Sequence, residues 1–83
     1  MDFVVYIIYS STINKYYVGY TSDLIKRLDD HNAGISTFTS KANDWIIKYK
    51  KAFNNRADAM QFEKYIKKMK SRKYIKALIL SNG

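Results

Sequence analysis

FVVYIIY, residues 3–9, is the stretch from which the fold can be read. Phe3, Val5, Ile7 and Tyr9 form one alternating set and Val4, Tyr6 and Ile8 the other, and both sets are apolar. Successive side chains of a strand point to opposite faces, so a strand without a polar set is one covered on both sides. It is expected to be the central strand. STIN, residues 11–14, is turn chemistry, and KYYVGYT, residues 15–21, is a second β-rich run, so the two make a hairpin. Gly19 weakens that second strand and marks a bulge, a bend or the close approach of another group.

Further along, Thr21 or Ser22 is expected to cap a helix with Asp23 in its first turn. Leu24, Ile25 and Leu28 form its apolar stripe, and Asn32-Ala33-Gly34 ends it. ISTFTSKAND, residues 35–44, is a polar connection. In WIIKYKKAF, residues 45–53, Trp45, Ile47 and Tyr49 alternate with Ile46, Lys48 and Lys50, as in an edge strand with one wetter face; Trp45 is assigned to the core. Asn54 or Asn55 caps a second helix from Arg56 towards Lys70, with Ala59, Phe62, Ile66 and Met69 inward, and Ser71 caps a third, RKYIKALIL. The order is ββαβαα. The expected class is α/β of the α+β type, a three-stranded antiparallel sheet flanked by helices, with residues 1–83 as a single domain.

Composition narrows the function classes. The absence of cysteine excludes a disulfide framework, a zinc ribbon and a thiol nucleophile. The longest apolar run falls far short of the roughly 20 residues of a membrane span, and no basic leader precedes it, so a cytoplasmic protein is expected. Fifteen Lys and Arg against seven Asp and Glu leave a formal charge of +8, on a chain with eight tyrosines. Basic side chains release counterions from a polyanion and aromatic rings stack on bases, which makes nucleic acid the leading partner. A merely solvated lysine-rich surface is the competing explanation, and an anionic membrane ranks third.

Arg27 and His31 lie one turn apart, bordering the apolar face of the first helix, where a side chain can be half held by the fold and still reach a ligand. The plainer readings are an ion pair of Arg27 with Asp23 or Asp30, and a histidine at the negative end of the helix dipole. Glu63 stands four residues before Lys67, an ordinary i,i+4 pair, and is also sufficient for one hard cation, since Mg²⁺ is held by one or two carboxylates plus phosphate. Tyr6, Tyr16, Tyr17 and Tyr20 are by default strand residues filling a small core.

Together, Val-Val-Tyr at 4–6, Tyr-Val-Gly at 17–19, Arg27, His31 and Glu63, in that order, resemble the GIY-YIG nuclease superfamily. The resemblance is closest to small single-domain bacterial members, in which segments similar to YVGYTSDLIKRLDDHNAG, FTSK, NDW and FEKYIKKMKSRKYIKALI recur. It implies hydrolysis of a DNA phosphodiester with one Mg²⁺ or Mn²⁺, leaving a 5′-phosphate and a 3′-hydroxyl, in repair or recombination; a domain this small has little surface for sequence readout, which favours a structure such as a flap, branch or nick over a long recognition site. By that analogy Glu63 holds the metal, Arg27 binds the scissile phosphate, Tyr6 is the general base or orients the water, Tyr17 assists, and His31 orients Tyr6 or shares its proton. The family's first-motif glycine is Val4 here, a lysine found after the second motif in several relatives is Tyr20, and an asparagine of some members falls on Ile75.

Lys41, Lys67, Lys70, Arg72 and Lys73 are read as the surface that grips the nucleic-acid backbone, with Phe38 and Thr39 in a loop leaning on it and a partner protein as a source of targeting. For any single lysine a solvated face is the simpler account. Two other function classes compete with the nuclease. One is a nucleic-acid-binding module that keeps the scaffold without turnover; the other is a basic assembly protein.

Overall fold

The computed structural model of the chain describes residues 2–35 and 39–81. Strands β1 (Phe3–Ser10) and β2 (Lys15–Thr21) are followed by helix α1 (Leu24–Asn32) and a 3-10 turn at Thr39–Lys41. Strand β3 (Ile46–Phe53) and helices α2 (Arg56–Met69) and α3 (Arg72–Ser81) complete the order ββαβαα. The sheet is antiparallel throughout in the order β2-β1-β3. The strand apolar on both sides is therefore in the middle, and β3 is an edge as expected.

Each side of β1 has its own core. Val5 and Ile7 pack with Val18 and Tyr49 against Ala59 and Ile66 of α2, with Phe62, Tyr74, Ile75 and Leu78 around them. On the opposite side Tyr6 and Ile8 pack with Trp45, Leu24 and Leu28. The sheet is thus sandwiched between α1 and the α2–α3 pair, with both sides of β1 out of water.

Four local expectations change. Asp23, not Thr21 or Ser22, is the N-cap of α1 and accepts from the Lys26 amide at 3.2 Å; the Thr21 hydroxyl accepts from the Asp23 amide instead and shapes the approach. Between Ile7 and Ile8 the register with β3 slips by one residue, Ile7 pairing with Tyr49 and Ile8 with Ile47. This bulge at Lys48 sends Tyr49 to the α2 side, while Ile47 and Trp45 stay on the α1 side, so these three do not share a face. Met69 is 44% exposed, because the core is already closed by Phe62 and Ile66 and the chain turns away at Lys70. Thr39 is fully buried rather than on a surface loop. Phe38 lies outside the described residues.

Trp45 is tied as well as buried. Its backbone N–H donates to Asn32 Oδ1 at 2.8 Å, its carbonyl accepts from Asn32 Nδ2 at 3.2 Å, and its indole N–H donates to the Thr39 carbonyl at 3.0 Å. These bonds fasten the 3-10 turn and the start of β3 to the end of α1. Asn55 caps α2 through the Asp58 amide at 2.9 Å, and Ser71 caps α3 through the Tyr74 amide at 3.1 Å.

Candidate active site

β1 and β2 are registered so that Tyr6 stands opposite Gly19. A Cβ on Gly19 would lie 2.5 Å from the Tyr6 hydroxyl oxygen, 2.7 Å from Cζ and 3.2 Å from Cε2 of Tyr17. The glycine is therefore required by the phenol that crosses it, which is the close approach its place in a strand suggested. Tyr6 is 1% exposed and cannot swing aside freely. Gly19→Ala is expected to lose about 1–3 kcal/mol of stability through this overpacking, read as a lowered denaturation midpoint.

The Tyr6 hydroxyl lies 2.8 Å from His31 Nε2, and His31 Nδ1 lies 2.7 Å from Thr39 Oγ1. His31 and Thr39 are both fully buried. The Arg27 guanidinium stands beside the Tyr6 hydroxyl, where its charge favours the ionised phenol. The result is a hydrogen-bonded row, Thr39–His31–Tyr6, running outward from the core towards Arg27. His31 is thus a core member of the site, and not simply a charge at a helix end. The alternative pairings of Arg27 do not form either, since Asp23 caps the helix and Asp30 pairs with Lys26 at 3.5 Å.

Burial pushes the Tyr6 hydroxyl up to about 12, against the opposing pull of Arg27. Burial, reinforced by the Arg27 charge, pushes His31 down to about 4 from an ordinary 6.5, with Asp30 opposing. Both groups are neutral at pH 7. Between about 4 and 6.5 the unfolded chain binds a proton on His31 that the folded chain does not, so this contribution to stability is complete above 6.5 and is lost as the pH falls towards 4. Asp44 is held well below the usual carboxylate range by its hydrogen bond from Ser10, with further bonds from Thr12 and Ser11 opposed by desolvation. It contributes to acid lability only below its ordinary 3.8. Denaturation midpoints measured against pH are expected to decline in two stages, and His31→Gln to remove the upper one.

Tyr6, Tyr17, Gly19, Arg27 and Glu63 line one open cleft beside the outer edge of β2, between α1 and α2. The Tyr17 ring is 6.4 Å from that of Tyr6 and 4.9 Å from His31, centroid to centroid. Arg56 lines the cleft too, its guanidinium 5.4 Å from the Phe3 ring. Sequence reasoning missed Arg56; the signal was its position two helical turns before Glu63 on the same face. It supplies a cation from α2, whereas Tyr20 supplies none at the end of β2.

Glu63 and Lys67 form the expected i,i+4 pair at 3.5 Å, with the carboxylate side chain 14% exposed. Among the described residues no three His, Cys, Asp or Glu side chains converge. The cleft is therefore no all-protein metal cage, but a single carboxylate fits Mg²⁺ or Mn²⁺ that keeps waters and takes phosphate oxygens. Of the five basic residues read as a grip, Lys67, Lys70 and Arg72 line one groove next to the cleft. Lys41 lines a separate depression beside the end of α1, and Lys73 is exposed on α3.

The profile of the GIY-YIG catalytic domain matches residues 2–75. The chain belongs to the GIY-YIG family. The matched span takes in Val-Val-Tyr at 4–6 on β1, Tyr-Val-Gly at 17–19 on β2, and Arg27, His31 and Glu63. It is similar to the UPF0213 protein YazA of Bacillus subtilis (strain 168), 36% identical over 61 residues that make up 72% of this chain and 62% of that protein. The chain thus spans under two thirds of the length of YazA. The solution NMR structure of the UPF0213 protein BH0048 from Bacillus halodurans superposes with a TM-score of 0.64 at 27% identity, over 100% of this chain and 87% of that one. This GIY-YIG chain contains, among its described residues, no helix long and apolar enough to cross a membrane.

Proposed function

We propose that this protein binds a nucleic-acid backbone in the cleft beside β2 and, with one Mg²⁺ or Mn²⁺, hydrolyses a phosphodiester there. The observation that carries this reading is the meeting of Tyr6, Tyr17, Arg27 and Glu63 at one opening, with His31 directly behind Tyr6. Arg27 and Arg56 are the cations that receive the phosphate, Arg27 through a planar set of donors suited to the charge of a transition state. Glu63 would hold the cation, which when bound offsets charge on the leaving oxygen. Tyr6, positioned by its contact with His31, orients the attacking water, whose proton passes to solvent at the open mouth of the cleft, from which the 3′ oxygen takes one up. Tyr17 assists at the same phosphate. The new bond joins the water oxygen to phosphorus, and the bond to the 3′ oxygen breaks, leaving a 5′-phosphate and a 3′-hydroxyl. DNA is the favoured polymer, as a flap, branch or nick in repair or recombination, in the cytoplasm and with a partner for targeting.

Binding without turnover is a second reading with observations of its own. The Glu63 carboxylate is already paired with Lys67, no cluster of metal-ligating side chains stands among the described residues, and both Tyr6 and His31 rest neutral. Nicking of plasmid and branched DNA with Mg²⁺, beside a gel-shift assay, separates the two. Cleavage abolished by a chelator and restored by Mn²⁺ is the expected result. Tight binding without cleavage under any metal would move the assignment to the binding module.

A further inference from the structure

Lys67 stands between two openings beside β2. Its ammonium lies 3.5 Å from Glu63 Oε2, the carboxylate of the cleft, and 5.6 Å from the centroid of the Tyr17 ring. The same lysine lines the neighbouring groove with Lys70 and Arg72, and Tyr17 lines both openings. The Glu63 side chain is 14% exposed and that of Lys67 49%, so the lysine can leave the pair while the carboxylate stays in place.

We propose that Lys67 is a tethered counter-ion of Glu63 which an incoming nucleic acid draws off, so that nucleic acid and a divalent cation bind this protein cooperatively. The proposal rests on the reading of the cleft as a backbone and metal site. A hard cation on the Glu63 carboxylate would stand next to the Lys67 ammonium, and like charges at such a separation repel strongly where water is partly excluded. The ammonium must then turn away. Its four-carbon stem allows that turn, and a half-exposed i,i+4 pair holds it only weakly.

Where the ammonium turns decides the coupling. On the groove side Lys70 and Arg72 are cations already, and Arg72 is fixed there by the Asn14 carbonyl at 3.1 Å. A further positive charge is disfavoured beside them until a phosphate backbone lies across the groove, when each becomes a counter-ion of the polymer. The metal and the polymer therefore favour the same placement of one side chain. Two ligands that favour the same state raise each other's affinity by the same factor.

The test is Mn²⁺ binding followed by electron paramagnetic resonance, on the protein alone and with a saturating non-cleavable oligonucleotide, the ions held by the oligonucleotide itself being subtracted. Lys67→Met is expected to bind Mn²⁺ about tenfold more tightly than wild type when the protein is alone, and its gain from the oligonucleotide to be smaller by the same factor. Lys67→Arg keeps the pair and stays near wild type, and Lys70→Met, which removes a groove cation outside the pair, changes the affinity less. Unchanged or weaker Mn²⁺ binding by Lys67→Met alone, or an equal gain in Lys70→Met, overturns the proposal. The cleft reading survives either result as long as Glu63→Gln loses the bound Mn²⁺. A Glu63→Gln protein that binds Mn²⁺ as wild type does overturns both.

Discussion

Replacing Arg27 with alanine is expected to lower cleavage about 10²–10³-fold, the effect of losing one preorganised donor from a site where charge develops. Arg27 stands beside Tyr6 and lines the cleft, so on the proposed reading it would reach a phosphate there while adjoining the row of hydrogen bonds behind that phenol. Its loss therefore has a second signature. The Arg27 charge helps hold His31 down to about 4, behind the larger effect of burial, so the histidine is expected to titrate closer to 6.5 in the variant. His31 is the chain's one histidine, and its ring signals report this titration without ambiguity. Arg27→Lys restores the charge but not the planar fork, and is expected to return the His31 titration towards its original position without restoring cleavage. A variant that loses activity with an unmoved His31 would contradict the arrangement described.

Glu63→Gln is expected to abolish metal-dependent cleavage while leaving nucleic-acid binding as tight as in wild type, or tighter. Among the described residues that line the cleft Glu63 is the acidic one, so its loss removes the carboxylate suited to a hard cation. Removing it also releases Lys67 from its ion pair, adding an unneutralised cation next to the backbone path. The pair joins a half-exposed lysine to a carboxylate that Gln replaces at nearly the same size, so the variant is expected to stay folded, which a denaturation midpoint close to that of wild type would check. Cleavage by Glu63→Gln at the wild-type rate would remove the metal role from this residue.

The legible part of the fold was whatever one strand or helix states about itself. FVVYIIY announces a strand covered on both sides, and Asn55 and Ser71 announce helix starts, because side-chain alternation and caps are local. The bulge at Lys48 was not legible, since an extra residue in an edge strand has no compositional mark until its partner strand is known. Thr39 was misread for a related reason: a threonine in a polar connection looks solvated unless His31 is seen turning inward to meet it. For the site, motif order carried the set Tyr6, Tyr17, Arg27, His31 and Glu63, whereas helix geometry alone favoured ordinary surface roles for the last three. Gly19 was the one place where a local oddity pointed to the site, because the missing side chain is the space that Tyr6 occupies.

The most direct measurement is an anomalous diffraction map from crystals grown with Mn²⁺ and a non-cleavable oligonucleotide. The account predicts one peak in contact with the Glu63 carboxylate, with a phosphate between that peak and the Arg27 guanidinium. A manganese peak bound elsewhere, or a strand crossing the opposite sheet edge along β3, would contradict it.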